Sequence, residues 1–442
     1  MPTGDSLKLS LRRVLAAVSD YASNAPVRGS DLRGYGRLAI DATLGVTRVV
    51  ETMHHNIARV PGVLGEATQS PTTGIAGFVY KSIRGVARLA GGGIDALLAL
   101  LEPSIGSGAS SAQREAALAA LNGVLGDHLA DTSNPLAIPM SLRHGGHTLT
   151  LTRRALGTAI PDPQRRIVVL VHGLCMNDLQ WRRHGHDHGA ALARDLAFTP
   201  VYLHYNSGRH ISSNGRAFAD VLEKLVRTWP VAIDEIAIVG HSMGGLVARS
   251  ACHYGAEASH AWLRRVSNLF FLGVPHLGAP MERAGNWIDA ILDASPYSTA
   301  LARLGKIRSA GITDLRYGSV CDEDWHRRDR FVRSRPRLRH VPLPRGIACH
   351  ALAASLAKKP GALVERTLGD GLVPLASVLG QSSHADRRLR FSKARQWIGY
   401  GLHHLDLLDS EAVYARIRSG LDASGARGGR RPRVLNSRGT RR

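Results

Sequence analysis

The chain has 442 residues and is strongly basic, with 57 Lys and Arg against 35 Asp and Glu and a formal net charge of +22. Its length allows one large core plus an appended domain, and a hydrophobic content of 44% excludes a disordered or fibrous class. The four cysteines are far apart and form no C-x-x-C pair, so neither a zinc site nor a disulfide framework is indicated.

The N-terminus has no apolar signal region, and no apolar stretch is long enough to span a bilayer. These features predict a cytoplasmic protein, free in solution or bound peripherally to a membrane. The basic charge suits an anionic lipid surface or acidic substrates. We expect no specific nucleic-acid partner, because aromatic residues make up only 5% of the chain and no nucleic-acid-binding motif is present.

Residues 1–135 are predicted to form a helical N-terminal region. Apolar residues recur at helical spacing from Leu7 to Val18, around Ile40, and from Leu118 to Leu129. The apolar segment Ile75–Leu101 suits either a membrane interface or packing against the rest of the protein. We favour packing, because three consecutive glycines from Gly91 weaken a long amphipathic helix.

Residues 136–420 alternate strand-like and helix-like segments. A hairpin is predicted in Pro139–Arg154, followed by buried strands and amphipathic helices in turn. The expected strands are Arg166–Gly173, Thr199–His204, Ile236–Val239, Val266–Leu272, Ile347–Leu352 and Leu389–Phe391, and the expected helices include Trp181–Leu196 and Phe218–Leu225. This alternation predicts an α/β fold with a doubly wound, mostly parallel sheet.

Two segments differ in character from this alternation. Residues 281–345, with many arginines near the end, are predicted to be an insertion over the active-site face. Residues 421–442 are rich in arginine and glycine and are predicted to be a disordered tail.

The segment Gly240-His241-Ser242-Met243-Gly244 joins a predicted buried strand to a predicted helix. A G-x-S-x-G turn in this context exposes its serine on a strained backbone, and the small residues on either side let strand and helix approach closely. Ser242 is therefore the candidate nucleophile.

A serine hydroxyl needs a histidine base and a carboxylate that orients the histidine. In this architecture both follow the serine along the chain. Asp370, between two glycines, is the candidate acid. The adjacent His403 and His404 leave the base open by one position; we favour His404, which directly precedes the predicted last helix.

The oxyanion of an acyl-transfer intermediate requires backbone N–H donors. The N–H of Met243, one residue past the serine, and that of Leu174, in the loop after the first parallel strand, are the candidates.

The ordered motifs GHSMGG, VHGL, LGVPHLGAP, GDGLVP and HHLDLL resemble those of the α/β-hydrolase superfamily. The resemblance is strongest to lipases and esterases, including a branch similar to the GPI-inositol deacylases, and extends from about residue 142 to 417. It implies roles of nucleophile, acid and base for Ser242, Asp370 and His404, and the role of a lid for the insertion.

We expect a serine hydrolase that cleaves carboxylic esters, of the lipid-like class, through an acyl-enzyme. Two alternatives remain: an acyltransferase on the same scaffold, and a basic binding protein on a disused hydrolase fold. No cofactor or metal is expected. His184, His186, His188 and Asp187 are spaced closely enough for metal ligation, but alternate loop residues seldom converge on one ion.

Overall fold

The computed structural model describes residues 30–31, 33–41, 112–279, 309–326, 338–361 and 369–428. The predicted helical stripe near the N-terminus, the segment Ile75–Leu101 and most of the arginine-rich tail lie outside these residues, as do parts of the predicted insertion. The chain divides into two compact units: residues 1–114 with 129–137, and residues 115–128 with 138–442.

The first unit contains a helical segment in residues 30–41. Arg114 donates two hydrogen bonds to the buried carboxylate of Asp31, from Nε at 2.6 Å and from Nη2 at 2.5 Å. The Asn134 amide donates to the carbonyl of Gly34 at 3.1 Å. A paired guanidinium and carboxylate of this geometry fixes orientation as well as position.

The second unit is built on one eight-stranded sheet with the order β2-β1-β4-β3-β5-β6-β7-β8. The strands are β1 (Ser141–His144), β2 (His147–Thr148), β3 (Arg166–Val171), β4 (Phe198–His204), β5 (Glu235–His241), β6 (Val266–Leu272), β7 (Ala348–Ser355) and β8 (Gln396–Tyr400). Strand β1 pairs antiparallel with both β2 and β4, and every pair from β4 to β8 is parallel.

Helices cover both faces of the sheet. The helices named in residues 112–428 of the described chain are α1 (Ala112–Asp131), α2 (Arg153–Ala159), α3 (His188–Leu196), α4 (Ile211–Thr228), α5 (Met243–Glu257), α6 (Ala310–Tyr317), α7 (Leu375–Val378) and α8 (Glu411–Gly428). None of the helices in the described part of the chain is long and apolar enough to cross a membrane.

The strands alternate their buried side chains between two apolar cores. Val169 and Ile238 join the core that contains residues of α4 and α5, whereas Leu170 and Val239 join the core that contains residues of α3 and α8. Both faces of the central strands are buried, as a parallel sheet between helical layers requires. The predicted fold class is therefore confirmed.

Two predicted elements were wrong. Leu389 and Phe391 are buried but form no strand; the backbone N–H of Leu389 donates to Gly380 O in a loop, and the last strand is β8. The helix predicted from Trp181 begins only at His188, where the Asp187 carboxylate caps it by accepting from Ala190 N. Buried apolar residues in a loop give the same sequence pattern as a short buried strand. The residues of β8 are mostly half-buried, so this strand has a weaker apolar pattern in the sequence.

Candidate active site

Ser242 lies at the turn between β5 and α5 with φ 51° and ψ −123°. A positive φ is unusual for a residue with a side chain and costs about 1–3 kcal/mol, a strain found mainly at functional sites. The Ser242 N–H donates to Leu272 O at 2.8 Å, which ties the turn to the end of the neighbouring strand β6.

The glycines around Ser242 are required by close backbone contacts. A Cβ on Gly240 would lie 2.6 Å from Gly245 Cα, and a Cβ on Gly244 would overlap Val171 O. These residues let β5, the end of β3 and the start of α5 approach one another. The predicted strand, turn and helix therefore have the geometry that presents a serine at the edge of the sheet.

His404 and Asp370 are hydrogen-bonded to each other across 34 residues of sequence. His404 Nδ1–H donates to Asp370 Oδ2 at 2.7 Å, and both side chains are buried. Because a carboxylate only accepts, the proton is on Nδ1 and the lone pair of the neutral ring is on Nε2. No described group bonds to Nε2. This is the tautomer that a general base needs.

The turn after Gly369 orients the Asp370 carboxylate. Its Oδ1 accepts from Leu372 N at 3.0 Å and Val373 N at 2.8 Å, which leaves Oδ2 for His404. Gly369 and Gly371 have φ values of +56° and +94°, conformations that glycine adopts without strain. The flanking glycines noticed in the sequence thus form the turn that aims the carboxylate.

His403 faces solvent, and its backbone N–H donates to Asp406 Oδ2 at 2.7 Å. The buried neighbour His404 is the histidine that contacts Asp370. Adjacent residues point in different directions, so only one of the pair can serve the site.

The ends of β5 and β6 bring His404 near the serine turn. A Cβ on Gly273, which follows β6, would lie 2.9 Å from His404 Cε1 and Nδ1. The preceding residue Leu272 accepts from Ser242 N. No hydrogen bond joins Ser242 Oγ to His404 Nε2. Such catalytic bonds are often long before substrate binds and tighten in the Michaelis complex.

His241, immediately before the serine, is a supporting residue that sequence reasoning did not assign. Its Nε2 lies 3.3 Å from His404 O, and the two rings are 4.7 Å apart. Burial, and then the charge of His404, lowers the pKa of His241 well below its ordinary value. The His241 ring is therefore neutral and can donate from Nε2 to that carbonyl without placing a cation beside His404.

The loop after β3 lies against the serine. A Cβ on Gly173 would be 3.3 Å from Ser242 Cβ, and Leu174 is the next residue. The N–H of Leu174 donates to no described residue, unlike that of Cys175, which donates to Ser207 Oγ at 3.1 Å. Met243 begins α5, so its N–H has no acceptor within the helix. Neither N–H therefore donates to a described acceptor, and their role as oxyanion donors stays a prediction.

The histidines 184 and 188 contact the segment that follows His404. His188 Nε2–H donates to Leu407 O at 3.0 Å, and His184 Nδ1 lies 2.5 Å from Asp409 Oδ2. His186 Nε2 lies 2.8 Å from His188 Nδ1. These contacts position residues 404–409. The close spacing of these histidines in the sequence suggested metal ligation as an alternative. The spacing could not indicate that their partners are Leu407 and Asp409, more than 200 residues away.

Within the predicted insertion, residues 309–326 are described and pack against helices α4 and α5. The buried Asp314 accepts from Ile211 N at 2.8 Å and lies 3.0 Å from His210 Nδ1. Val320 O accepts from Ser250 Oγ on α5 at 2.6 Å. This part of the insertion is attached to both α4 and α5. Residues 280–308 and 327–337 lie outside the described residues, so the lid remains a prediction.

Part of the chain is similar to a known family and to several solved structures. Residues 162–342 match the family model described as the PGAP1-like alpha/beta domain. Similar solved structures include the mature lipase BlEst2 of Bacillus licheniformis, 17% identical over 60% of this chain and 93% of that chain, with a TM-score of 0.37. At 13% identity, the Staphylococcus hyicus lipase covers 60% of this chain and 97% of its own, with a TM-score of 0.32.

The Pyrococcus furiosus esterase PF2001 is 11% identical, over 59% of this chain and 82% of its own, with a TM-score of 0.32. At the level of sequence no curated protein matches the chain. The sheet order and the strained serine turn give the described part of the chain an α/β-hydrolase fold, and residues 162–342 are similar to the PGAP1-like alpha/beta domain.

Proposed function

We propose that the protein hydrolyses carboxylic esters through an acyl-enzyme formed on Ser242. The observation that carries the proposal is the buried 2.7 Å hydrogen bond between His404 Nδ1 and Asp370 Oδ2, beside the end of β6 to which the serine turn is bonded. A buried carboxylate that fixes an imidazole tautomer is expensive to maintain for structure alone and is what a serine nucleophile requires.

In the proposed reaction, Ser242 Oγ attacks the ester carbonyl carbon while its proton passes to His404 Nε2. Asp370 stabilises the resulting imidazolium, and the N–H groups of Met243 and Leu174 donate to the oxyanion. The intermediate collapses as the alcohol leaves with the proton from Nε2. Water, deprotonated by His404, then attacks the acyl-enzyme and releases the carboxylic acid and free Ser242.

Steady-state hydrolysis of p-nitrophenyl esters tests this proposal. The Ser242→Ala variant should lose about 10⁴-fold or more of kcat/KM, since the remaining triad members cannot act without the nucleophile. The matched control is Ser383→Ala, which truncates an exposed serine and should keep the wild-type rate. Circular dichroism should show that both variants remain folded. Wild-type turnover by folded Ser242→Ala would refute the assignment.

The substrates that we propose are lipid-like esters, and the net charge of +22 supports contact with anionic membrane surfaces. A series of p-nitrophenyl esters from acetyl to palmitoyl, with and without vesicles containing phosphatidylserine, would measure both preferences. The proposal predicts higher kcat/KM for the longer chains and a further rise with anionic vesicles. A preference for acetyl esters that vesicles do not change would contradict it.

A further inference from the structure

Helix α1 carries Gly123 and Gly126 near its middle, although glycine in a helix interior is less stable than alanine. Neither glycine has a positive φ, so helix geometry does not require them. Glycine is required at both positions because two loops of the sheet approach the helix closely there. Residues 115–128 of α1 belong to the same compact unit as those loops.

The first loop is the one that follows β3. A Cβ on Gly123 would overlap Cys175 Sγ and lie 3.0 Å from Cys175 Cα and N. The Cys175 thiol in turn lies 3.8 Å from Ala120 O. Cys175 has φ 59°, so this loop holds a non-glycine residue in the left-handed region. Leu174, the candidate oxyanion donor, is the residue directly before Cys175.

The second loop follows β4. Asn206 Nδ2 donates to Gly126 O at 2.8 Å, and a Cβ on Gly126 would overlap the Asn206 amide. In the same loop, Ser207 Oγ accepts from Cys175 N. Helix α1 therefore contacts the loop after β3 directly at Gly123; this loop carries Leu174 and Cys175 and is the candidate oxyanion loop. The helix also contacts it indirectly, through the second loop of residues 205–208.

Helix α1 is also hydrogen-bonded to Ser309 and Ala310, at the start of α6. Ser309 Oγ donates to Gly123 O at 2.7 Å, and Ala310 N donates to Asp127 Oδ2 at 2.9 Å. Gly311 N donates to Gly208 O at 2.9 Å. These bonds hold α1 between the start of α6 and the two loops, so the position of the helix is determined independently of Cys175.

We propose that α1, which precedes the sheet and lies outside the matched residues 162–342, positions the oxyanion loop and that Gly123 is a positioning residue for the Leu174 N–H. The proposal rests on the ester hydrolysis proposed above. A shift of the loop by a few tenths of an ångström weakens the donor in the transition state, where the oxyanion forms, more than it weakens substrate binding.

The test is Gly123→Ala, measured by kcat and KM with a p-nitrophenyl ester. We expect kcat to fall about tenfold to a hundredfold, with KM within about twofold of wild type, since complete loss of one oxyanion donor costs about 10²–10³. The matched control is Gly157→Ala on helix α2, where a Cβ meets nothing within 4 Å. This control should keep the wild-type kcat.

A compensating variant separates positioning from general damage. Cys175→Gly removes the Sγ that the new methyl group would overlap and places glycine at a positive φ. The double variant Gly123→Ala/Cys175→Gly should recover kcat to within about threefold of Cys175→Gly alone, as coupled neighbours do. A merely structural effect would lower the melting temperature without this specific recovery of kcat.

A truncation adds no volume and covers the case in which Gly123→Ala does not fold. Asn206→Ala removes the bond to Gly126 O and the bond that Oδ1 accepts from Gly208 N, and it should lower kcat about threefold to tenfold at unchanged KM, the usual effect of one or two hydrogen bonds. The proposal is overturned if Asn206→Ala and any folded Gly123→Ala keep the wild-type kcat, or if Cys175→Gly recovers nothing. A wild-type protein without turnover would overturn the hydrolase proposal instead.

Discussion

At the scale of single residues, the site depends on which nitrogen of His404 carries the proton. Asp370 Oδ2 accepts from Nδ1 at 2.7 Å, while its Oδ1 is occupied by two backbone N–H groups. Oδ2 is therefore the carboxylate oxygen that remains for His404, and Nε2 is the imidazole nitrogen that remains to accept a proton. Changing the carboxylate to an amide would change the tautomer without changing the shape.

The Asp370→Asn variant is therefore expected to keep its fold and lose about 10⁴-fold in kcat, because the amide can donate to Nδ1 and move the proton to Nε2. Ester hydrolysis at neutral pH measures the loss. Asp386→Asn, which alters an exposed aspartate in the short 3-10 helix Ala385–Arg387, is the control and should match wild type. Equal rates for the two variants would show that Asp370 does not orient the base.

The sequence could indicate Ser242 and Asp370 as candidates because the glycines beside them meet physical requirements of the backbone. Gly240 and Gly244 stand where a Cβ would meet backbone atoms, and Gly369 and Gly371 stand at positive φ. His241 could not be assigned a role in this way. Its supporting contact is between Nε2 and His404 O. This contact joins residues 163 positions apart, so it forms only when the chain folds.

At the scale of elements, the serine turn works because β3, β5 and α5 meet with little space between their backbones. The end of β3 supplies Val171 O and His172 O, which face Gly244. The Tyr205 hydroxyl donates to the same His172 carbonyl at 2.8 Å. Neither backbone group can move without disturbing the candidate oxyanion loop that follows.

Gly244→Ala should therefore lower the free energy of unfolding by about 1–3 kcal/mol, the usual cost of overpacking. Urea denaturation measures the change. The comparison is Gly157→Ala, which has open space and should stabilise the protein by about 0.4–1 kcal/mol. If both variants shifted the urea midpoint in the same direction, the close approach at Gly244 would not be a real constraint.

Elements with strong periodicity were predictable, and those that depend on distant partners were not. Strands β3 and β5 are buried on both faces and read as continuous apolar segments. The start of α3 was misplaced because His184 and Gly185 adopt positive φ values in a turn, which the helical pattern of residues 181–196 concealed. The importance of α1 was also hidden, since its glycines indicate only a weak helix until the loops at Cys175 and Asn206 are placed.

At the scale of the whole molecule, the second unit, which contains the sheet, has several buried or half-buried histidines that are neutral at pH 7. Burial lowers the pKa of His172 and of His204 to about 3, and that of His188 and of His350 to about 4. In the unfolded chain these groups titrate near 6.5. Between these values the unfolded state binds more protons than the folded state.

Folding stability should therefore fall as the pH is lowered from about 6.5 towards 4, by up to about 1.4 kcal/mol per pH unit for each such histidine. Burial raises the pKa of Asp178 and of Asp314, which acts in the opposite direction. Urea midpoints at pH 7 and pH 5 measure the balance, and we expect the lower midpoint at pH 5.

Removing one buried histidine isolates its contribution to this pH dependence. His188→Gln should reduce the difference in stability between pH 7 and pH 5, because one titration is gone. His147→Gln changes an exposed histidine and should leave the difference unchanged. A difference that His188→Gln does not reduce would mean that His188 is protonated alike in both states.

The most direct measurement of the central claim, that Ser242 is an activated nucleophile, is covalent labelling of the wild-type chain by a fluorophosphonate, followed by mass spectrometry of the digested protein. We predict one adduct per chain, located on Ser242, with no labelling of Ser242→Ala and much slower labelling of Asp370→Asn. Failure of the folded wild-type protein to react, or an adduct on a different residue, would contradict the account.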